Sequence, residues 1–308
     1  MTSLNRREFF ARSRSTGLSL AAGGMIAADF GTVRANSTEG AVVARRRLRD
    51  VGYVWEGQPA YRDFPPSTYG LGEGCAYFGL RKAYYLYHGN NAAALTKLAR
   101  LEEVICDISI WRYRKVEDAQ GAIGWGIYHE KSPDVIRAEA DTVSRLSRSF
   151  PNVRGAMLDD LLGAIKSQGY SPDTCAGIRT ALKAHNPRLQ VCSTVYTHEL
   201  DARNWTAFDA LIDVVFLWVW KSEDLVRLDG GVARCREIFP GKPIVLGCYL
   251  SDYTLKAPVP MDRLRSQWER IPGYLEKGLI NGFCILGAYL IDHHPEQATW
   301  VRDFIAGN

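Results

Sequence analysis

The chain has 308 residues, 46% of them hydrophobic and 11% aromatic, with 38 Lys and Arg against 34 Asp and Glu for a formal charge of +4. That composition fills one large core or two medium ones and excludes a disordered, fibrous or membrane-spanning chain. The positive excess is concentrated near the N-terminus, which also excludes a basic surface made for nucleic acid.

Residues 1–35 read as an address and not as structure. Asn5-Arg6-Arg7-Glu8-Phe9-Phe10 is followed by a weakly apolar stretch over residues 17–28 and by the small-x-small site Val33-Arg34-Ala35. This order resembles a twin-arginine export signal. The alternative is a basic amphipathic helix, which Gly17, Gly23 and Gly24 would weaken. The segment carries five arginines against Glu8 and Asp29, so its removal takes the formal charge from +4 to about +1. The resemblance implies the twin-arginine export machinery as a partner, a periplasmic or secreted location, and no stable membrane anchor.

Residues 36–82 are expected to form an N-terminal extension packed on the remainder of the chain, with a short strand at Val51-Gly52-Tyr53-Val54-Trp55 and a Gly-, Pro- and Tyr-rich loop over 58–79. From residue 83 to 308, short apolar runs alternate with segments of helical period. The runs cover 83–88, 104–110, 122–128, 153–160, 189–196, 212–220, 243–250 and 282–291. Helical segments are expected over 92–102, 135–149, 172–185, 201–211, 223–238, 261–277 and 295–306, and only the connection 111–121 is too short for one. Pro172-Asp173 after Ser171 marks a helix start. Near-continuously apolar strands alternating with helices indicate a parallel sheet covered on both faces. Eight such units predict an α/β protein with a (β/α)8 TIM barrel. An open doubly wound sheet is the competing architecture, but His88-Gly89-Asn90-Asn91 is a poor version of its Gly-rich phosphate turn.

The seven cysteines, at 75, 106, 175, 192, 235, 248 and 284, include no C-x-x-C pair. Cys106, Cys192, Cys248 and Cys284 fall inside apolar runs, where a thiol behaves as a small hydrophobe. The odd count and this placement argue against a disulfide framework and against a zinc cluster.

A barrel of this kind works at the carboxyl ends of its strands, and there the sequence is polar and aromatic. The ends carry Tyr87, His88 and Asn90; Asp107 and Trp111; Tyr128, His129 and Glu130; Asp159 and Asp160; Tyr196, His198 and Glu199; Trp218 and Trp220; Tyr249, Asp252 and Tyr253; and Tyr289, Asp292 and His293. Five of the six histidines fall at this rim. Carboxylates among Trp and Tyr suit sugar chemistry: aromatic faces stack on pyranose rings, and two carboxyl groups of different pKa flank the scissile bond. In Gly155-Ala156-Met157-Leu158-Asp159-Asp160, two adjacent acids end an apolar run, and strand alternation points them in opposite directions. The candidate catalytic set is Asp160, Asp159, Asp252 and Glu199, with Asp160 favoured as the inward acid. Tyr87, His88, Asp107, Trp111, Tyr128, His129, Glu130, Tyr196, His198, Trp218, Trp220, Tyr249, Tyr253 and Asp292 are the candidate substrate contacts. A capping role for Asp159-Asp160 is the alternative, but the next helix is expected only at Pro172. Trp218 and Trp220 share a face, where core packing competes with sugar stacking.

This layout and rim resemble the superfamily of (β/α)8 glycoside hydrolases over residues 83–305. The resemblance implies a hydrolase with a carbohydrate substrate and catalytic carboxylates on the fourth strand and on a later one. The chain departs from better-known patterns: Asn-Glu does not end the fourth strand, and the spaced D-x-x-D-x-D-x-E of chitinase-like barrels is absent. Neither a P-loop nor a Rossmann fingerprint occurs, so no cofactor and no nucleic-acid partner are expected. Two other functions compete. One is a metal-dependent hydrolase drawing on His88, His129, His198, His293 and Asp160, weakened by the absence of H-x-H on the first strand. The other is a non-catalytic carbohydrate-binding barrel.

Overall fold

The computed structural model describes residues 47–56, 67–85, 89–109, 111–117, 121, 123–129 and 132–308. The export-signal segment, residues 1–35, lies outside the described residues. The strands are β1 (Gly52–Trp55), β2 (Lys82–Tyr85), β3 (Glu103–Asp107), β4 (Trp111–Glu117), β5 (Ile123–His129), β6 (Val153–Leu158), β7 (Gln190–Tyr196), β8 (Val214–Trp218), β9 (Ile244–Tyr249), β10 (Ser251–Asp252), β11 (Ala257–Pro258) and β12 (Gly282–Leu286). Eight of them close a barrel in the order β1, β2, β3, β6, β7, β8, β9, β12, every neighbouring pair parallel. Together with the intervening helices this is the expected (β/α)8 barrel.

The count of eight holds with one strand exchanged. The first barrel strand is Gly52–Trp55, so the barrel takes in part of the segment expected to be an extension. The run at 122–128 lies instead in the antiparallel β4–β5 hairpin, outside the barrel. Apolarity alone does not distinguish a buried parallel strand from one arm of a ribbon, and β1 is too short to show a period. All four β1 residues are buried, as strands covered on both faces must be.

The outer layer comprises α1 (Leu48–Val51), α2 (Leu71–Phe78), α3 (Ala92–Lys97), α4 (Pro133–Leu146), α5 (Leu161–Gln168), α6 (Pro172–Lys183), α7 (Ala202–Trp205), α8 (Leu228–Ile238), α9 (Met261–Glu276) and α10 (Pro295–Gly307). Each long helix buries one stripe: Ile136, Ala140 and Val143 on α4; Cys175, Ile178 and Leu182 on α6; Leu264, Trp268 and Ile271 on α9. Burying each large side chain contributes about 1.5–3 kcal/mol, so the stripe outweighs local propensity. The α6 start is the expected one, with Ser171 Oγ accepting from Thr174 N at 3.1 Å and Pro172 in the first turn. All seven cysteines are buried free thiols, and burial pushes Cys175 up to about 11 and Cys75 and Cys235 up to about 12. Among the described residues, no helix is long and apolar enough to cross a membrane.

Register fixes which side chains look inward. Trp55 on β1 meets Trp218 on β8 at 5.1 Å between ring centroids, and Tyr53 meets Phe216 at 5.8 Å, although β1 and β8 are not neighbours. These contacts therefore cross the barrel interior. Following paired residues around the sheet from Trp55 gives Tyr84, Ile105, Gly155 and Gln190; from Trp218 it gives Tyr196. With the two-residue alternation of a strand, Asp107, Met157, Thr194 and Gly247 face inward too.

Candidate active site

An aromatic floor lies across the barrel near the carboxyl ends of the strands. Trp218 is buried against Trp55, with Tyr249 at 4.8 Å and Tyr84 packed edge-on to Trp55 at 4.1 Å. Space for the indole comes from Gly247, where an added Cβ would stand 2.1 Å from the Trp218 ring. Trp218 is thus the floor of the mouth rather than an open stacking face. Its Nε1 is a buried donor with no partner among the described residues.

Beside this floor the structure gathers two acids. Asp107 ends β3 and Asp159 directly follows β6; they are 4% and 2% exposed, which makes them almost sealed from water. Asp107 Oδ1 accepts from Ser109 N at 2.9 Å, and Ser109 Oγ accepts from Asp159 N at 2.8 Å, so one serine ties the two strand ends together. Thr194 Oγ1, from β7, donates to Asp159 Oδ1 at 3.1 Å. Tyr84 hydrogen-bonds Asp107 from β2. Behind them, Asn90 Nδ2 donates to the Asp107 carbonyl at 2.7 Å and to Glu139 Oε1 on α4 at 2.6 Å. Burial first, and then the charges of Asp159 and Glu139, push the Asp107 carboxyl well above its ordinary range, against the hydrogen bonds from Ser109 and Tyr84.

The favoured inward acid is corrected by this register. Met157 pairs with Asp107, so Asp159 shares the inward face and Asp160 does not. Asp160 sits at φ +54°, the left-handed region, and is the residue before α5, a helix not expected from the sequence, where the next helix starts only at Pro172. Its amide donates to Thr194 Oγ1 at 2.6 Å, and its carboxylate lies over the first turn, 2.6 Å from where a Cβ on Gly163 would be. The chain leaves the barrel at Asp160, and the αL turn there carries its side chain outward.

Three further candidate acids bind the protein's own loops. Asp252 is 3% exposed and accepts from Ser222 N at 2.8 Å, Thr254 N at 2.8 Å, Thr254 Oγ1 at 2.6 Å and Leu255 N at 3.0 Å. Burial raises its pKa, but those bonds outweigh it and hold the carboxyl below the usual range. Glu199 Oε2 accepts from Tyr196 N at 3.1 Å. Asp292 accepts from Ser67 Oγ at 2.8 Å and Thr68 N at 3.0 Å, pinning residues 67–68 to the barrel rim.

Above the floor the aromatic candidates come together. Tyr196 packs edge-on to Trp220 at 5.8 Å and stacks with His198 at 5.4 Å. Trp220 and Tyr253 lie within 14° of parallel at 6.0 Å, and Tyr253 Oη meets Tyr289 Oη at 2.9 Å. Trp220 and Tyr253 are half-buried. Tyr87, His88 and Glu130 lie outside the described residues, and Trp111, Tyr128 and His129 are described as β4–β5 backbone only. Of the histidines named for a metal, His198 stacks on Tyr196 and His293 Nε2 stands 3.9 Å from Asp292 Oδ1. Sequence reasoning missed Trp55, Tyr84, Ser109, Thr194 and Glu139. A two-residue step back from Tyr196 or on from Asp107 points to Thr194 and Ser109; Glu139 sits mid-helix and gives no such signal.

No family model matches the chain, and no curated protein matches it. Solved structures do resemble it. The family 17 β-1,3-glucanosyltransferase from Rhizomucor miehei is 8% identical with a TM-score of 0.50, over 79% of this chain and 88% of that one. Bacteroides uniformis β-glucuronidase is 12% identical with a TM-score of 0.50, over 78% of this chain and 30% of that one. The PgaB (BpsB) glycoside hydrolase domain from Bordetella bronchiseptica, at 12% identity and a TM-score of 0.49, spans 84% of this chain and 99% of that one. At such identities the likeness is one of fold, and the fold is the eight-stranded barrel that glycoside hydrolases use.

Proposed function

We propose that this protein is an exported glycoside hydrolase that cleaves a glycosidic bond of a carbohydrate with Asp159 as the inward carboxylate of its active site. One observation carries the reading: acids from two neighbouring strands converge at the carboxyl mouth of the barrel, beside an indole floor and beneath a half-buried aromatic rim. Trp220 and Tyr253 offer faces to the C–H surface of a pyranose, and Trp218 Nε1 offers a donor for a hydroxyl. The twin-arginine resemblance of residues 1–35 supports export through that machinery to the periplasm or beyond. The solved structures similar in fold include glycoside hydrolases, which supports the class by analogy.

A non-catalytic sugar-binding barrel is the second reading. It is favoured by the way Asp252, Glu199 and Asp292 are each engaged by the chain's own amides or hydroxyls. Reducing-end release across a panel of polysaccharides and oligosaccharides separates the two. Turnover by the parent supports a hydrolase; saturable glycan binding without turnover supports the binding barrel.

A further inference from the structure

We propose that Asp107 and Asp159 form a one-proton pair in which Asp107 keeps its proton at neutral pH and serves as a positioning residue for an ionised Asp159. The role in catalysis rests on the active-site reading above, but the pair itself does not.

The geometry is that of two carboxyl groups at adjacent strand ends, both nearly sealed from water and joined through Ser109. Neighbouring strands run about 4.8 Å apart, so two ionised acids here repel through a medium that screens poorly. The groups facing Asp107 from the packed elements are Tyr84 on β2, Asp159 after β6, Glu139 on α4 behind Asn90, and the Cys106 thiol on its own strand. Asp159 and Glu139 are acids, and both disfavour a charge on Asp107. Asp159 differs in kind: Thr194 donates a hydroxyl proton to its Oδ1. That bond favours the ionised form. The single proton therefore rests on Asp107, and a protonated Asp107 presents a donor toward its ionised neighbour. In this state Asp107 resembles asparagine in shape, charge and donor capacity.

That likeness sets the test, run on the full-length chain as parent, Asp107→Asn and Asp159→Asn. An acid with a folded pKa above its unfolded value costs stability as pH rises from about 4 to the folded pKa, because the unfolded chain has already released its proton. The urea midpoint of Asp107→Asn should thus gain on the parent from pH 4 upward and then level off. A difference that stays constant above pH 5 overturns the proposal. This measurement needs no substrate, so it stands even where the glycan panel shows no turnover and the hydrolase reading fails. If Asp107→Asn does not fold, carbon-13 NMR titration of the parent's aspartate carboxyls replaces it: one or more titrating well above pH 5 supports the pair, and all titrating below 5 overturns it. With turnover in hand, Asp107→Asn should keep activity within about tenfold near neutrality and lose the parent's basic limb, while Asp159→Asn falls by about 10²- to 10⁴-fold. Equal loss in the two folded variants at every pH overturns the positioning role.

Discussion

At the scale of single residues, adjacent carboxylates with one backbone step between them take opposite environments. Asp159 ends an inward-facing alternation and is sealed among Ser109, Thr194 and Asp107, while Asp160 turns out through a left-handed φ onto the helix start. The sequence showed that the two must diverge, because strand alternation requires it. It did not show which is inward, because that depends on register with β3, a relation between residues about fifty positions apart. The same holds for Trp218, a rim residue by sequence and a floor residue in space, whose place is made by Gly247 on the neighbouring strand. Gly247→Ala drives a methyl into that ring and should destabilise the fold by about 1–3 kcal/mol, read from urea denaturation. An unchanged midpoint would show that the indole has room to move.

At the scale of elements, apolar alternation was enough to identify seven of the eight barrel strands, because a parallel strand covered on both faces is apolar throughout. The exchange of 122–128 for Gly52–Trp55 has a physical cause: four buried residues carry too little pattern, and a ribbon arm can be as apolar as a strand. Helix α5 was hidden in a similar way, since Ser171-Pro172 is such a strong start signal that it masks the shorter helix before it. The loops at the rim are held by acids that sequence composition assigned to chemistry. Asp252 joins the residue before the α8 approach, Ser222, to the turn at 254–255. Asp252→Asn removes a charged acceptor from four donors and should cost about 2–4 kcal/mol of stability at neutral pH. Because its folded pKa lies below the ordinary 3.8, that contribution is present above the unfolded value and is lost as pH falls through the folded one. Thermal melts of parent and variant from pH 2 to 7 check this: the gap should close only at the acid end.

At the scale of the whole molecule, the fold buries titratable groups of both signs, and they oppose each other in pH. His294, 6% exposed at the start of α10, has its pKa lowered by burial, against the carbonyl of His293 at 2.8 Å. The unfolded chain binds that proton near 6.5 and the folded chain resists, so stability is lost as pH falls below 6.5. Asp107 acts the other way, with stability lost as pH rises above 3.8. A His294→Asn variant should therefore narrow its deficit against the parent between pH 7 and 5; a deficit that widens on acidification contradicts the burial of a neutral imidazole. The barrel was legible from the alternation of strands and helices, and the mouth from the polar, aromatic strand ends. The partnership of Asp107 with Asp159 was not, since it joins the third strand to the fourth through a serine and a threonine that carry no motif.

The most direct test of Asp159 as the inward carboxylate compares the parent with Asp159→Asn and Asp160→Asn in reducing-end release over a broad glycan panel, each variant first shown to be folded. Turnover by the parent is expected, with a loss of about 10²- to 10⁴-fold in Asp159→Asn and a change of less than about tenfold in Asp160→Asn. Loss in Asp160→Asn with activity retained by Asp159→Asn would contradict that assignment.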